Sequence, residues 1–327
     1  MGIFLKKPNQ AELLTGIGRD ENNYIFPVAW AVVNVENKDN WTWFLEVVAS
    51  DLEVEGGVGL TLMSDQHKGK QFSGVKFRNL FWAASKTSYH VMFDTIMENI
   101  KAANLNAFKY LTYRNPESWS MAFFVVDRGC EAVENGFSEC FNSVIVMCRH
   151  KLIITMLEAI MVIIMERMNV MRMLSEHWVG DIAPNIVKKL EVIKDQHRYW
   201  QAHFAGGFEY EVRHKTEAYK VDKKLRTCSC KLWQLSGIPC LRACSVIFAL
   251  NKSPEDYIPA WFRKEMYMRA YSTYLRPVGG MSTWVPNQLN KPLSPKPKAY
   301  QEVSQRKEQE HLMKVFLDLG YQRLVHL

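Results

Sequence analysis

The chain has 327 residues, of which 48% are hydrophobic, 12% aromatic and 23% charged, a balance that excludes a low-complexity chain and allows a sizeable core. Its net charge of +7 favours acidic partners such as nucleic acid without requiring one. Seven clustered cysteines argue against a disulfide framework, and the N-terminus carries no secretory signal pattern, so a reducing compartment is expected. The most apolar run, Leu152 to Met165, is interrupted by Glu158 and falls short of the roughly 20 residues of a membrane span, which predicts a methionine-rich core helix.

Taken in chain order, Leu13 to Gly18 and Ile25 to Val33 are short apolar runs separated by Arg19-Asp20-Glu21-Asn22-Asn23, which predicts a hairpin with Asp20 as a turn residue. Asp39 or Asn40 is placed to cap a helix whose apolar face comprises Trp43, Phe44, Val47, Val48 and Leu52, ending at Gly56-Gly57. Leu60 to Met63 then reads as a buried strand running into Ser64-Asp65. Between Phe77 and Leu111 the pattern is helical, with an apolar stripe of Leu80, Phe81, Ala84, Val91, Phe93, Ile96 and Ile100. Further helical tracts cover Ser138 to Ser175 and Pro184 to Trp200. The last of these presents Lys188, Lys189, Lys194 and Arg198, either a solvated face or a surface that follows a phosphate backbone.

Phe208 to Val212, Ala218 to Val221 and Leu225 to Thr227 read as strands that deliver the chain to Cys228. Cys240 to Leu250 is helical and stops at Asn251-Lys252-Ser253-Pro254. A proline-bearing tract with Pro286, Pro292, Pro295 and Pro297 predicts an extended or disordered tail, with some helical pattern returning at Leu312, Val315, Phe316 and Leu319.

Cys228-Ser-Cys230 followed by Cys240 behind a Gly237-Ile238-Pro239 elbow is spacing suited to zinc, since two thiolates on one ribbon turn and one at a helix start can occupy three corners of a tetrahedron. Two residues on, Arg242 stands where a fourth ligand would be, and a guanidinium has no lone pair to donate. Buried cysteines without metal are the alternative. Cys244, four residues beyond Cys240, is the thiol placed to substitute.

These residues resemble the SWIM zinc finger, a Cys-x-Cys, spacer, Cys-x-His pattern, in the version carried by plant transposases, with Thr227-Cys228-Ser229-Cys230, Trp233-Gln234 and Gly237-Ile238-Pro239-Cys240 all present and Arg242 in place of the histidine. The likeness extends to the Mutator-like transposases of plants through Ile17-Gly18-Arg19-Asp20, Ile25-Phe26-Pro27-Val28-Ala29-Trp30, Ser64-Asp65-Gln66-His67-Lys68-Gly69, Ser138-Glu139-Cys140-Phe141-Asn142-Ser143 and Pro254-Glu255-Asp256-Tyr257. It implies an RNase H-like catalytic domain in which three carboxylates hold two Mg2+ or Mn2+ ions for strand cleavage and joining. Asp65 matches the second acid and Glu139 the third, whereas the first is expected just before Gly2, where Met1 stands. The strand and Cys-x-x-His element expected after Gly69 are missing from the segment Lys70 to Leu80.

The expected architecture is therefore α/β, or α+β overall: a truncated RNase H-like domain with a helical insertion at 1–175, a helical connector at 176–205, a small β-hairpin plus helix SWIM-type module at 206–260, and a partly disordered tail at 261–327. The expected function is that of a catalytically inactive transposase derivative, with Cys228, Cys230, Cys240 and Cys244 holding Zn2+ and with Lys188, Lys189, Lys194, Lys223, Lys224 and Arg226 contacting DNA, or the module contacting a protein partner. An active transposase and a decayed remnant are the alternatives. The resemblance implies a nuclear location, otherwise a cytoplasmic one; no membrane or small-molecule partner is expected.

Overall fold

Short apolar runs produce the first sheet of the computed structural model, which describes residues 2–4, 11–54, 74–126, 131–133, 136–280 and 283. Strands β1 (Gly2–Phe4), β2 (Glu12–Arg19) and β3 (Ile25–Val33) form an antiparallel meander in the order β1-β2-β3. The expected hairpin is present, and its turn is organised by Asp20, whose buried carboxylate accepts the backbone N–H groups of Asn22 at 2.9 Å and Tyr24 at 2.7 Å. The strand expected at Leu60 to Met63, and with it Asp65, lies outside the described residues, as do the prolines and the helical pattern of the tail.

The described residues form two compact units, each assembled from separated stretches of chain. One draws on the described residues of Met1–Glu53, Gly136–His177 and Tyr267–Leu327. In it, helix α1 (Lys38–Asp51) begins two residues earlier than expected, because Asn37 caps it by accepting the Asn40 N–H. Only Phe44 of the expected apolar face is buried. Trp41, Phe44 and Val48 turn toward Leu14 and Val33, and Trp43 and Val47, each one residue and so about 100° away around the helix, remain exposed.

Helices α5 (Gly136–Val144) and α6 (Ile153–Glu176) cover the hairpin with Phe141, Met156, Ile160 and Ile164 against Leu13 and Ile25. The methionine-rich run is thus a core helix, but it is buried along one stripe only, at Met156, Ile160, Ile164, Arg167, Met171 and Ser175. Ile154, Val162 and Met173 face outward. Arg167 is a charge inside this stripe, and it donates to the Ile25 carbonyl at 3.1 Å. Beside it the Tyr271 hydroxyl donates to Asp20 at 2.8 Å, tying the hairpin turn to the segment that follows helix α10 (Lys264–Ala270).

The second unit comprises the described residues of Val54–Asn135 and Trp178–Met266. The single helical tract expected from Phe77 to Leu111 is three helices, α2 (Val75–Lys86), α3 (His90–Ala103) and α4 (Leu105–Tyr113). The chain breaks at Asn104 because its side chain caps the next helix by accepting the Ala107 N–H at 3.0 Å. Ala84, Phe93, Ile96, Ile100 and Leu111 build a shared core with Trp119, whereas Val91, in the first turn of α3, is exposed.

Helix α7 (Pro184–His197) starts with proline at its first position, where no N–H is needed, and stops three residues before the expected Trp200. Strand β4 (Gln201–Gly206), which the sequence pattern did not announce, follows at once. It pairs with β5 (Glu209–His214), β6 (Glu217–Asp222) and β7 (Thr227–Cys228) in an antiparallel sheet of order β4-β5-β6-β7. The third expected strand is displaced toward Cys228 because Asp222 to Arg226 turns, with Arg226 in the left-handed region at φ 55°. Helices α8 (Leu232–Ser236) and α9 (Leu241–Ala249) complete the unit, and α9 packs on the sheet and on α7. No helix among the described residues is long and apolar enough to cross a membrane.

The Asp20 knot gives a measurable expectation. Asp20→Ala removes two turn hydrogen bonds and leaves the buried Tyr271 hydroxyl without its acceptor, so urea unfolding should show a loss of about 1–3 kcal/mol, with a smaller loss in Asp20→Asn.

Candidate metal centre

Three cysteine sulfurs meet where the four-stranded sheet hands over to α9. Those of Cys228, Cys230 and Cys240 all lie within 4.8 Å of one another, and no other group of three or more His, Cys, Asp or Glu ligand atoms converges in this way among the described residues. The Cys230 and Cys240 sulfurs are 3.6 Å apart and not joined as a disulfide. Two thiolates bound about 2.3 Å from one tetrahedral ion would stand about 3.8 Å apart, so the spacing fits zinc. All three are almost fully buried, at 1%, 1% and 4% exposure, in a cluster with Val212, Val221, Trp233 and Val246.

Local backbone chemistry sets each ligand. Cys228 ends β7, and Gln234 clamps its peptide from both sides, accepting the Cys228 N–H and donating to the Cys228 carbonyl, both at 3.1 Å. Lys231 then adopts φ 61°, which turns the chain sharply into α8; its N–H returns to the Cys228 carbonyl and its ammonium reaches the Ala122 carbonyl at 3.0 Å. Trp233 packs edge-on against Tyr257 and walls the cluster. Gly237 closes α8 at φ 73°, and a Cβ there would stand 2.8 Å from Trp261 and 2.9 Å from Pro259, so only glycine fits. Pro239 follows, and Cys240 sits at the N-cap of α9 with extended backbone.

The thiols share protons unequally. Hydrogen bonds from Cys228 and Cys240 draw the Cys230 thiol well below its usual range against the opposing effect of burial, and the Arg242 charge assists. The hydrogen bond to Cys230 pushes Cys228 up, and the same partners with burial raise Cys240 as well. One thiolate is therefore favoured in the metal-free cluster, and zinc would stabilise the other two as thiolates.

Cys244 is not brought to this group. Its sulfur lies 3.7 Å from the Pro239 carbonyl in a separate apolar cluster with Ile186, Leu190 and Ile258, where burial pushes the thiol up to about 12. Arg242, two residues beyond Cys240, extends between two rings. Its guanidinium lies 4.4 Å from the Trp200 ring and 4.1 Å from that of Tyr219, with the Glu217 carboxylate at 3.7 Å. Its Nε is buried with no hydrogen-bond partner among the described residues.

The basic residues fall into two groups. Lys223 and Lys224 hold their ammonium groups over the Phe208 ring, at 5.9 and 5.2 Å, and Arg226 lies over Tyr257, so all three gather around the β6–β7 turn. On α7, Lys189 pairs with Glu131, and Lys194 with Glu191 and Glu255; Lys188 is exposed. Glu139 is exposed in the first turn of α5 and belongs to no ligand group among the described residues. Ser88, whose hydroxyl donates to the Cys230 carbonyl, and the Trp200–Tyr219 clasp were not anticipated. No motif links Ser88 to Cys230, 142 positions away, whereas the two aromatic residues flanking β5 were visible as ring partners for a nearby cation.

The Gly237→Ala variant combines a strained φ with two close contacts. Thermal unfolding should show this unit destabilised by about 1–3 kcal/mol.

Comparison with known proteins bears on this region alone. A family model described as SWIM zinc finger matches residues 218–249, from β6 to the end of α9, and encloses the three convergent cysteines. No curated protein and no solved structure matches the chain. The segment 218–249 is a SWIM zinc finger, and β4 and β5 complete its sheet from outside the matched residues.

Proposed function

We propose that this protein is a catalytically inactive derivative of a Mutator-like plant transposase that binds DNA in the nucleus through a zinc-holding SWIM module. The convergence of Cys228, Cys230 and Cys240 carries the zinc part of this reading. Three buried thiols within one small volume, unpaired as disulfides and preceded by a clamped strand end, are the donor set that a soft or borderline divalent cation takes. The ion supplies structural closure there, holding strand end to helix start.

DNA contact is assigned to the β6–β7 turn. Lys223, Lys224 and Arg226 lie within one four-residue turn, and the first two stand over the half-exposed ring of Phe208, which gives a cationic tip with an aromatic platform. Lys189 and Lys194 are already neutralised by glutamates, so α7 contributes less. The transposase ancestry rests on the ordered motifs from Ile17 to Tyr257, and the lack of catalysis on the shortened segment after Gly69.

Zinc content of the purified protein, measured by native mass spectrometry, should be lost in Cys228→Ala and in Cys240→Ala and retained in Cys244→Ala. Duplex DNA binding should weaken with salt, and each of Lys223→Ala, Lys224→Ala and Arg226→Ala should lower the slope of log affinity against log salt by about 0.9. Lys189→Ala should leave that slope unchanged. Salt-independent binding would transfer the module to a protein partner. Cleavage of DNA with Mg2+ or Mn2+ that disappears in Asp65→Ala would overturn the claim of inactivity.

A further inference from the structure

We propose that the zinc site of this chain is a three-thiolate centre with an exchangeable fourth position, and that Arg242 fits this position for a small anionic ligand. The inference rests on the zinc reading above and concerns the corner that the protein leaves unfilled.

The donor count comes first. Cys228, Cys230 and Cys240 supply three sulfurs, and Cys244 is held away from them among Ile186, Leu190 and Ile258. Arg242 follows Cys240 by two residues, where the finger pattern places its fourth donor, and its guanidinium cannot coordinate a metal. Zinc with three protein ligands takes its fourth from solution, the arrangement that distinguishes reactive from closed structural sites.

The second observation concerns what Arg242 does instead. Its side chain is 13% exposed and fixed between Trp200 and Tyr219, both packed against the cluster that contains the three cysteines. One end of the guanidinium faces Glu217, but the buried Nε–H has no acceptor among the described residues. A small anion bound at the fourth position would stand near this fixed positive charge, whose guanidinium is held by Trp200 and Tyr219 against the cysteine cluster. Three thiolates and a divalent ion carry a net charge of −1, which Arg242 neutralises, so the site does not repel such an anion as an uncompensated thiolate cluster would.

Cobalt substitution of the full-length protein tests this, with azide as the probe. Thiolate-to-cobalt charge-transfer absorption should appear, and azide should shift the ligand-field bands saturably. In Arg242→Ala the apparent azide affinity should fall about tenfold, the effect of losing the neighbouring positive charge. In Arg242→His the imidazole should close the fourth corner, so that the thiolate bands persist and azide has no effect. Cobalt bound through thiolates but indifferent to azide in the parent protein would overturn the inference while leaving zinc binding intact, and a simultaneous spectral change in Cys244→Ala would identify Cys244 as the fourth ligand. Absence of thiolate-to-cobalt absorption would remove the zinc reading and this inference together.

Discussion

The sulfurs of Cys228, Cys230 and Cys240 can meet only because a strand end, a left-handed lysine and a helix N-cap are held at fixed angles against one small sheet. Each device acts on the backbone: Gln234 grips the Cys228 peptide on both sides, Lys231 reverses the chain at positive φ, and Gly237 passes too close to Trp261 and Pro259 to bear a side chain. Burial then makes the cluster consequential. Three thiols nearly sealed from water are costly to ionise separately, and a shared cation removes that cost while joining parts of the chain that are ten residues apart.

Arg242 changes the character of the module without breaking its frame. A histidine at this position would offer a lone pair to a metal; the guanidinium offers none and is held between Trp200 and Tyr219. Stacking between two rings, each contact worth about 0.5–2 kcal/mol depending on desolvation, replaces part of the cohesion that a fourth metal bond would provide. The clasp depends on Trp200, which stands just ahead of β4, so the sheet must extend beyond the matched finger segment for Arg242 to be accommodated.

The basic side chains show a related division of roles. On α7, Lys189 and Lys194 pair with Glu131, Glu191 and Glu255 and serve cohesion within their unit, whereas Lys223, Lys224 and Arg226 at the β6–β7 turn stand over aromatic rings, and the nearby Asp222 carboxylate is used by the Leu225 N–H. Charge that is locally compensated holds structure, and charge left uncompensated at a turn tip is available to a polyanion.

Residue order alone determined a good deal. The hairpin with Asp20 at its turn was legible because Asp and Asn side chains close turns locally, and the cysteine spacing marked ligand types that no tertiary contact could alter. Strand β4 was not legible: Gln201 to Gly206 is short and mostly exposed, Phe204 included, and it is held by backbone pairing with β5. Only the tertiary structure separated Cys244 from the other three thiols. One helical turn should align residues four apart, but Cys240 is an N-cap with extended backbone, so its side chain leaves the helical row that Cys244 follows into the α7 contact. The same step out of helical geometry turned Cys240 toward the strand-end sulfurs, so that three thiols and not four converge in this fold.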